Sequence, residues 1–256
     1  MKKRFIYFAA ALMSSLVFAQ ENEGLEKKIQ NPIASLISVP FQNNTDFGIG
    51  PDNLTRNTLN IQPVLPFSLT KDINLIVRTI VPVISQPLSP DTSEFGIGDI
   101  NTSLFLTAAK PKKVITGYGL VVGLPTATNS ALGAGKWTVG PSFLAMIQPE
   151  SWTIGGLVQN TWSTSGPEVN FFYSQIFAVK NLNKGWYLNS APIITANWNA
   201  SKGNEWTVPL GIGAGRLFRV GKLPINGQIG YYQNVVKPEN GADSQFRFQL
   251  VLLFPK

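Results

Sequence analysis

The chain has 256 residues, a formal net charge of +7, no histidine and no cysteine. The missing cysteines exclude disulfides and thiolate metal sites, and the missing histidines exclude Ser-His-Asp and Cys-His catalysis and imidazole metal centres. The basic balance does not point to nucleic acid, because Lys2, Lys3 and Arg4 belong to an export segment, and without these three the charge falls from +7 to +4.

Residues 1–19 read as a secretory signal. Lys2, Lys3 and Arg4 are its positive start, Phe5 to Phe18 its apolar run, and Ala19 the small residue before a cleavage site. The run is shorter than the ~20 residues a spanning helix needs. No later segment is apolar over such a length, so a membrane protein made from the remaining chain has to be a closed barrel. Residues 20–33, starting QENEGLEKKIQNP, are polar and charged. They offer little to pack, so the expectation is a loose or briefly helical periplasmic leader, with a plug folded into the lumen as the alternative. Residues 34–256 are expected to form an outer-membrane β-barrel.

From about Ser35 the hydrophobic period is two. Twelve strand-like segments follow, at 34–43, 57–69, 73–85, 99–109, 114–124, 136–148, 152–162, 170–180, 185–198, 205–218, 223–236 and 244–254. Short connections at 70–72, 110–113, 149–151, 181–184 and 219–222 alternate with longer ones at 44–56, 87–98, 125–135, 163–169, 199–204 and 237–243. Such alternation is the wiring of an up-and-down transmembrane barrel, with short periplasmic turns and longer external loops. The fold class is therefore all-β, a twelve-stranded antiparallel transmembrane barrel with both mature termini periplasmic. Pro40, Pro63, Pro66, Pro82, Pro141, Pro192 and Pro209 fall inside strands, where proline removes a ladder hydrogen bond. Bulges or local breaks in pairing are expected at these positions.

The last segment shows the two faces well. Phe246, Phe248, Leu250, Leu252 and Phe254 point one way; Arg247, Gln249, Val251 and Leu253 point the other. A soluble sandwich would alternate too, but three features favour a membrane. Trp152 and Trp162 lie on one face ten residues apart. At ~3.3 Å per residue and a tilt of ~40° this projects to about 25 Å, the height of a barrel's apolar band. Trp186 and Trp198 bracket another strand in the same way, and Trp137 and Trp206 open strands, so these six tryptophans form a candidate aromatic girdle. The opposite face carries Gln62, Arg78, Asn101, Gln159, Asn189, Asn226, Gln228, Arg247 and Gln249 as candidate lumen lining, together with Asn60, Ser103, Asn197 and Asn234. Burying these dry would be costly, whereas a wet lumen solvates them. Gly117, Gly119, Gly123, Gly211, Gly213 and Gly215 share this face and are expected to leave room. Finally, bases (Lys71, Lys110, Lys112, Lys113, Lys180, Lys184, Arg216, Arg219, Lys222) collect at the short turns. Acids, including Asp46, Asp91, Glu94 and Asp243, collect in the long loops.

No catalytic constellation, cofactor site or metal site is legible. The carboxylates are scattered and form no close pair suited to glycoside hydrolysis. Phe47-Gly48-Ile49-Gly50 and Phe95-Gly96-Ile97-Gly98 repeat, but neither precedes a helix, so turn chemistry explains them better than a phosphate loop. Arg78 and Arg247 are the charged residues on mid-strand lumenal faces. They suit a constriction or an anion-attracting site, or equally a hydrogen-bonded rivet across the lumen.

The segments NPIASLISVPFQNNTDFGIGP (31–51), NTLNIQPVLPFSL (57–69), FGIGDINTSLFL (95–106), GKWTVGPS (135–142) and GWYLNSAPIITANWNASKGNEWTVPLGIGAGRLF (185–218) resemble an outer-membrane transporter family. That family is the one named for a MetA-pathway of phenol degradation, and the resemblance spans nearly all of the mature chain. It implies a porin-like channel in the outer membrane of a Gram-negative bacterium, without a catalytic motif. Phe254 resembles the terminal aromatic read by the barrel-assembly machinery, although Pro255 and Lys256 follow it. The expected partners are thus outer-membrane lipid, that machinery and an unknown small solute, with no nucleic acid. The expected function is passage of small, weakly charged or hydrophobic solutes. The alternative is a filled structural or interaction barrel that transports nothing.

Overall fold

The computed structural model describes residues 24–110, 112–165 and 168–254. The expected signal segment 1–19, residues 20–23 of the expected leader and the closing Pro255-Lys256 lie outside the described residues.

Twelve strands run in chain order: β1 Ile37–Ile49, β2 Leu54–Ile61 continued by Val64–Ser68, β3 Ile73–Ser89, and β4 Thr92–Ile97 continued by Ile100–Ala108. Then come β5 Val114–Leu124, β6 Thr138–Ile147, β7 Trp152–Ser163, β8 Asn170–Asn181, and β9 Trp186–Ser190 continued by Ile193–Asn197. β10 Trp206–Val220, β11 Leu223–Val236 and β12 Ser244–Phe254 complete the set. Each strand pairs antiparallel with its sequence neighbours. β1 also pairs with β12, from Ile37 opposite Phe254 to Phe47 opposite Ser244, and this closes the barrel. Closure leaves no free edge, so strand pairing runs round the whole wall. Among the described residues no helix is long and apolar enough to cross a membrane.

The period-two pattern sorts the faces as expected. Phe246, Phe248 and Phe254 are exposed on the outside, while Arg247, Val251 and Leu253 are buried within. Alternation survives the break in β2, because Gln62 and Val64 on either side of Pro63 are both buried while Leu65 and Phe67 are exposed. Proline explains much of the interrupted pairing. Pro63 and Pro192 sit at the breaks in β2 and β9. Pro141 falls in a gap in the β6–β7 pairing, between Val139–Trp162 and Ser142–Gln159, and Pro209 stands opposite a bulge at Val235 of β11. The wall stays joined there through proline carbonyls: Gln62 N donates to Pro40 O at 2.8 Å, Thr79 N to Pro63 O at 3.1 Å, and Gly98 N to Pro82 O at 2.9 Å.

Three expectations are corrected. First, 44–56 and 87–98 are not long loops. β1 and β2 run on to a turn at 50–53, and β3 and β4 to a turn at 90–91, so these hairpins extend the wall instead. Strand alternation continues through Gln42, Asn44 and Asp46, all buried, and that continuity keeps the segment in the sheet. Asp46 is accordingly a lumenal residue rather than a loop acid.

Second, from residue 24 to β1 the chain is briefly helical, one of the two forms expected of the leader, but it is packed inside the barrel rather than loose. Residues 24–29 form a short helix, and the chain from there to Leu36 is folded inside the barrel near the short turns. Its polarity conceals a few apolar anchors. Ile33, 2% exposed, packs against Ile76, Phe105, Leu144, Met146, Leu157 and Phe177. Leu25 and Leu36 pack against Leu217, Val251 and Leu253 on the opposite wall. Polar contacts finish the dock: Gln148 Nε2 donates to Lys27 O at 2.7 Å, Thr153 Oγ1 to Gln30 Oε1 at 2.8 Å, and Gln30 Nε2 to Asn181 Oδ1.

Third, the inward glycines do not open space. A Cβ at Gly117 would stand 2.8 Å from Ile33 Cδ1, and one at Gly215 would collide with the Tyr187 ring. Those glycines make room for other side chains. The short-turn half of the lumen is therefore a packed apolar core on one wall rather than a uniformly wet passage.

Candidate functional site

Inside the barrel, two cavities bear on the candidate residues. The inner one, about 170 Å³, has the docked segment 28–32 as its floor, with Ala34 and Leu36 beside it. The outer one, about 390 Å³, lies towards the longer loops, between the β1–β2 hairpin and strands β9 to β12. Arg247 borders both.

Of the nine candidate lumen residues, the structure gathers Gln62, Arg78, Asn189, Asn226, Gln228, Arg247 and Gln249 around the inner cavity. Gln159 and Asn101 stand apart. Gln159 Nε2 is held by Ser103 Oγ at 3.0 Å and Ser142 Oγ at 2.8 Å, and Asn101 Nδ2 donates to Asp99 O at 3.3 Å. Antiparallel registry explains the gathering. β3, β2, β1 and β12 are consecutive staves, and their inward polar residues form a belt. Arg78 Nη2 donates to Gln62 Oε1 at 2.6 Å, and Gln42 Nε2 to Asn44 Oδ1 at 3.3 Å. Arg247 Nε then donates to Asn44 Oδ1 at 3.2 Å. On the facing wall Tyr187 Oη reaches Asn226 Oδ1 at 2.9 Å and Gln228 Oε1 at 3.2 Å.

Arg247 is held by neutral groups. Beyond Asn44, its Nη1 donates to Ala191 O at 2.9 Å and its Nη2 to Gln245 Oε1 at 2.9 Å. Its guanidinium carbon lies 4.5 Å from the centre of the Tyr232 ring, a cation–π contact. The break at Ala191-Pro192 has a use here, since Ala191 O accepts from Arg247. The charge of Asp46 is already matched: Arg56 Nη2 lies 2.9 Å away, and Gln245 Nε2 donates to Asp46 Oδ1 at 2.8 Å. Asn44, Asp46, Arg56 and Tyr187 were not among the candidate residues. Continued alternation through 42–46 was the signal that could have found the first two.

The candidate girdle lies on the outside. Trp137, Trp152, Trp162, Trp186 and Trp198 are 40–54% exposed. Trp152 and Trp186 sit at the short-turn end, each beneath a cation: Lys180 Nζ is 4.9 Å from one ring and Arg216 Cζ 5.1 Å from the other. Trp137, Trp162, Trp198 and Trp206 sit at the other end. There Trp206 stacks edge-on against Trp198 at 5.2 Å. Among the described residues no group of three or more acidic, histidine or cysteine side chains could hold a metal.

No family model matches the chain, and no curated protein matches it either. Solved structures do. The crystal structure of the COG4313 outer membrane channel from Pseudomonas putida F1 is similar at a TM-score of 0.66 and 17% identity, over 88% of this chain and 97% of that one. The NanC porin is similar at a TM-score of 0.54 and 7% identity, over 86% of this chain and all (100%) of that one. Outer membrane phospholipase A from Escherichia coli matches more loosely, at a TM-score of 0.45 and 12% identity over 85% and 96% of the two chains. The closed twelve-stranded antiparallel barrel is thus a fold shared with outer-membrane barrels. The COG4313 channel is of the MetA-pathway type that the sequence resembles.

Proposed function

We propose that this barrel is an outer-membrane channel for small, weakly charged or hydrophobic solutes, held shut at its short-turn end by residues 24–36. One observation carries the reading: two cavities follow one another inside the wall, separated at Arg247 and floored by the docked segment. A barrel built only as a scaffold has no need of a polar chamber, because burying amides and guanidinium groups without water is costly. The exposed tryptophans and the apolar outer face suit a lipid surround. The filled-barrel alternative draws on the Ile33 core, which closes half of the lumen. We take that core as the closed state of a channel, because its central residue comes from a separable segment rather than from the wall.

Conductance in planar bilayers tests the proposal. The full mature chain is expected to conduct weakly, and a chain lacking residues 20–33 to conduct strongly. Absence of conductance and of liposome swelling for both chains, with any small solute, would sink it.

A further inference from the structure

The inner cavity has an unbalanced charge. Arg78 and Arg247 line it, Lys28 stands at its floor, and no carboxylate lines it among the described residues. Asp46, the acid nearest Arg247 in the belt, borders the outer cavity and is engaged by Arg56. The guanidinium groups also have donors to spare. A guanidinium carries five N–H donors in a planar fork. Arg78 commits one hydrogen bond, to Gln62, and Arg247 commits three, all to uncharged acceptors. Two cations in one small chamber, held by neutral partners with donors left over, form a receptor for an anion.

The rest of the wall says which kind. Val64, Phe177, Val179 and Leu253 face the same cavity. A volume of about 170 Å³ is well above the ~10–15 Å³ that a single water needs, so the chamber has room for a small organic molecule. We infer that the inner chamber binds a small organic monocarboxylate, its head group paired with Arg78 and Arg247 and its apolar body against Val64, Phe177 and Leu253. The channel reading supplies only the route by which such a ligand arrives; the binding site stands on its own residues. An inorganic anion would leave the apolar wall unused, and a neutral alcohol would leave both cations unmatched.

The test is equilibrium dialysis of radiolabelled pentanoate against the purified full mature chain in detergent. Saturable binding at one site per chain is expected. Pentan-1-ol, pentylammonium and inorganic phosphate should each compete at least about tenfold more weakly than unlabelled pentanoate. R78Q should weaken pentanoate binding by about tenfold or more while keeping the heat-dependent gel mobility of a folded barrel, and R78K should retain part of the affinity. Equal competition by pentan-1-ol would overturn the ionic half of the inference, and equal competition by phosphate the apolar half. Unchanged affinity in folded R78Q would overturn the assignment of Arg78. Because binding is read without transport, a barrel that binds pentanoate but never conducts loses the channel reading and keeps the site. One that conducts without binding loses the site alone.

Discussion

Ile33 shows how much a single side chain decides here. The segment around it is polar, and its helix of six residues (24–29) is too short to hold itself together. Its place comes from burial of an isoleucine, worth roughly 1.5–3 kcal/mol, into a hole that Gly117 leaves open. Ile33→Ala should therefore loosen the segment by about 2–5 kcal/mol without unfolding the wall. The measurable result is protease cleavage within 24–36 of a barrel that still migrates as folded. Gly117→Val should do the same from the other side, since its side chain would occupy the space of Ile33 Cδ1. If either variant leaves the segment as protected as in the parent, the dock does not depend on this contact.

At the scale of elements, the β1–β2 hairpin matters most, because it converts residues read as loop into lumen wall. Asp46 lies there between Arg56 and Gln245, with Arg247 one hydrogen-bonded step further. It is the acid that lines the outer cavity among the described residues, beside Arg56 and Arg247. Asp46→Asn keeps the size and the acceptor but removes the negative charge. It should shift the reversal potential across a potassium chloride gradient towards anions, by more at low salt than at high salt because the field is screened. An unchanged reversal potential would place permeating ions out of reach of this wall. The long loop at 125–137 is fixed differently, with Asp99 accepting from Ala127 N at 3.1 Å and Gly135 N at 2.9 Å. That loop is pinned to the rim by the acid at the break in β4.

In the whole molecule, two obstacles lie in series. The docked segment floors the inner chamber, and Arg247 separates that chamber from the outer one. In a series arrangement the larger remaining resistance dominates. Removing residues 20–33 and replacing Arg247 with Ala should thus raise conductance together by more than the two single changes combined. Additive effects in single-channel recordings would mean two parallel routes instead. The outer surface yields an independent check on the membrane setting. Trp137, Trp152, Trp162, Trp186 and Trp198 face outward, so their fluorescence should fall strongly in brominated lipids, with Trp152 and Trp186 quenched from the leaflet at the short turns. A barrel whose tryptophan emission ignores brominated lipid is not embedded as proposed.

Much of this was legible in the chain because it depends on local order. Alternation at period two set the number of strands and their inward and outward faces, since neighbouring side chains in a strand must point oppositely whatever the strand packs against. In β12 it separated exposed Phe246 and Phe248 from buried Arg247, and prolines 63 and 192 marked real breaks in the wall. Composition misled at residues 24–33 and at the glycines, because both depend on what stands across the lumen. Ile33 finds its hole only once β3 to β8 curve around it, and the emptiness of Gly117 has meaning only beside Ile33. The same holds for the belt from Arg78 to Arg247, whose last link, Arg247 to Asn44, joins residues far apart in the chain and forms only through closure of β1 on β12. The sequence by itself determined the wall, because each residue's side follows from its neighbours. Only the tertiary structure decided what fills the wall, because the lumen is made of contacts between strands that the chain keeps distant.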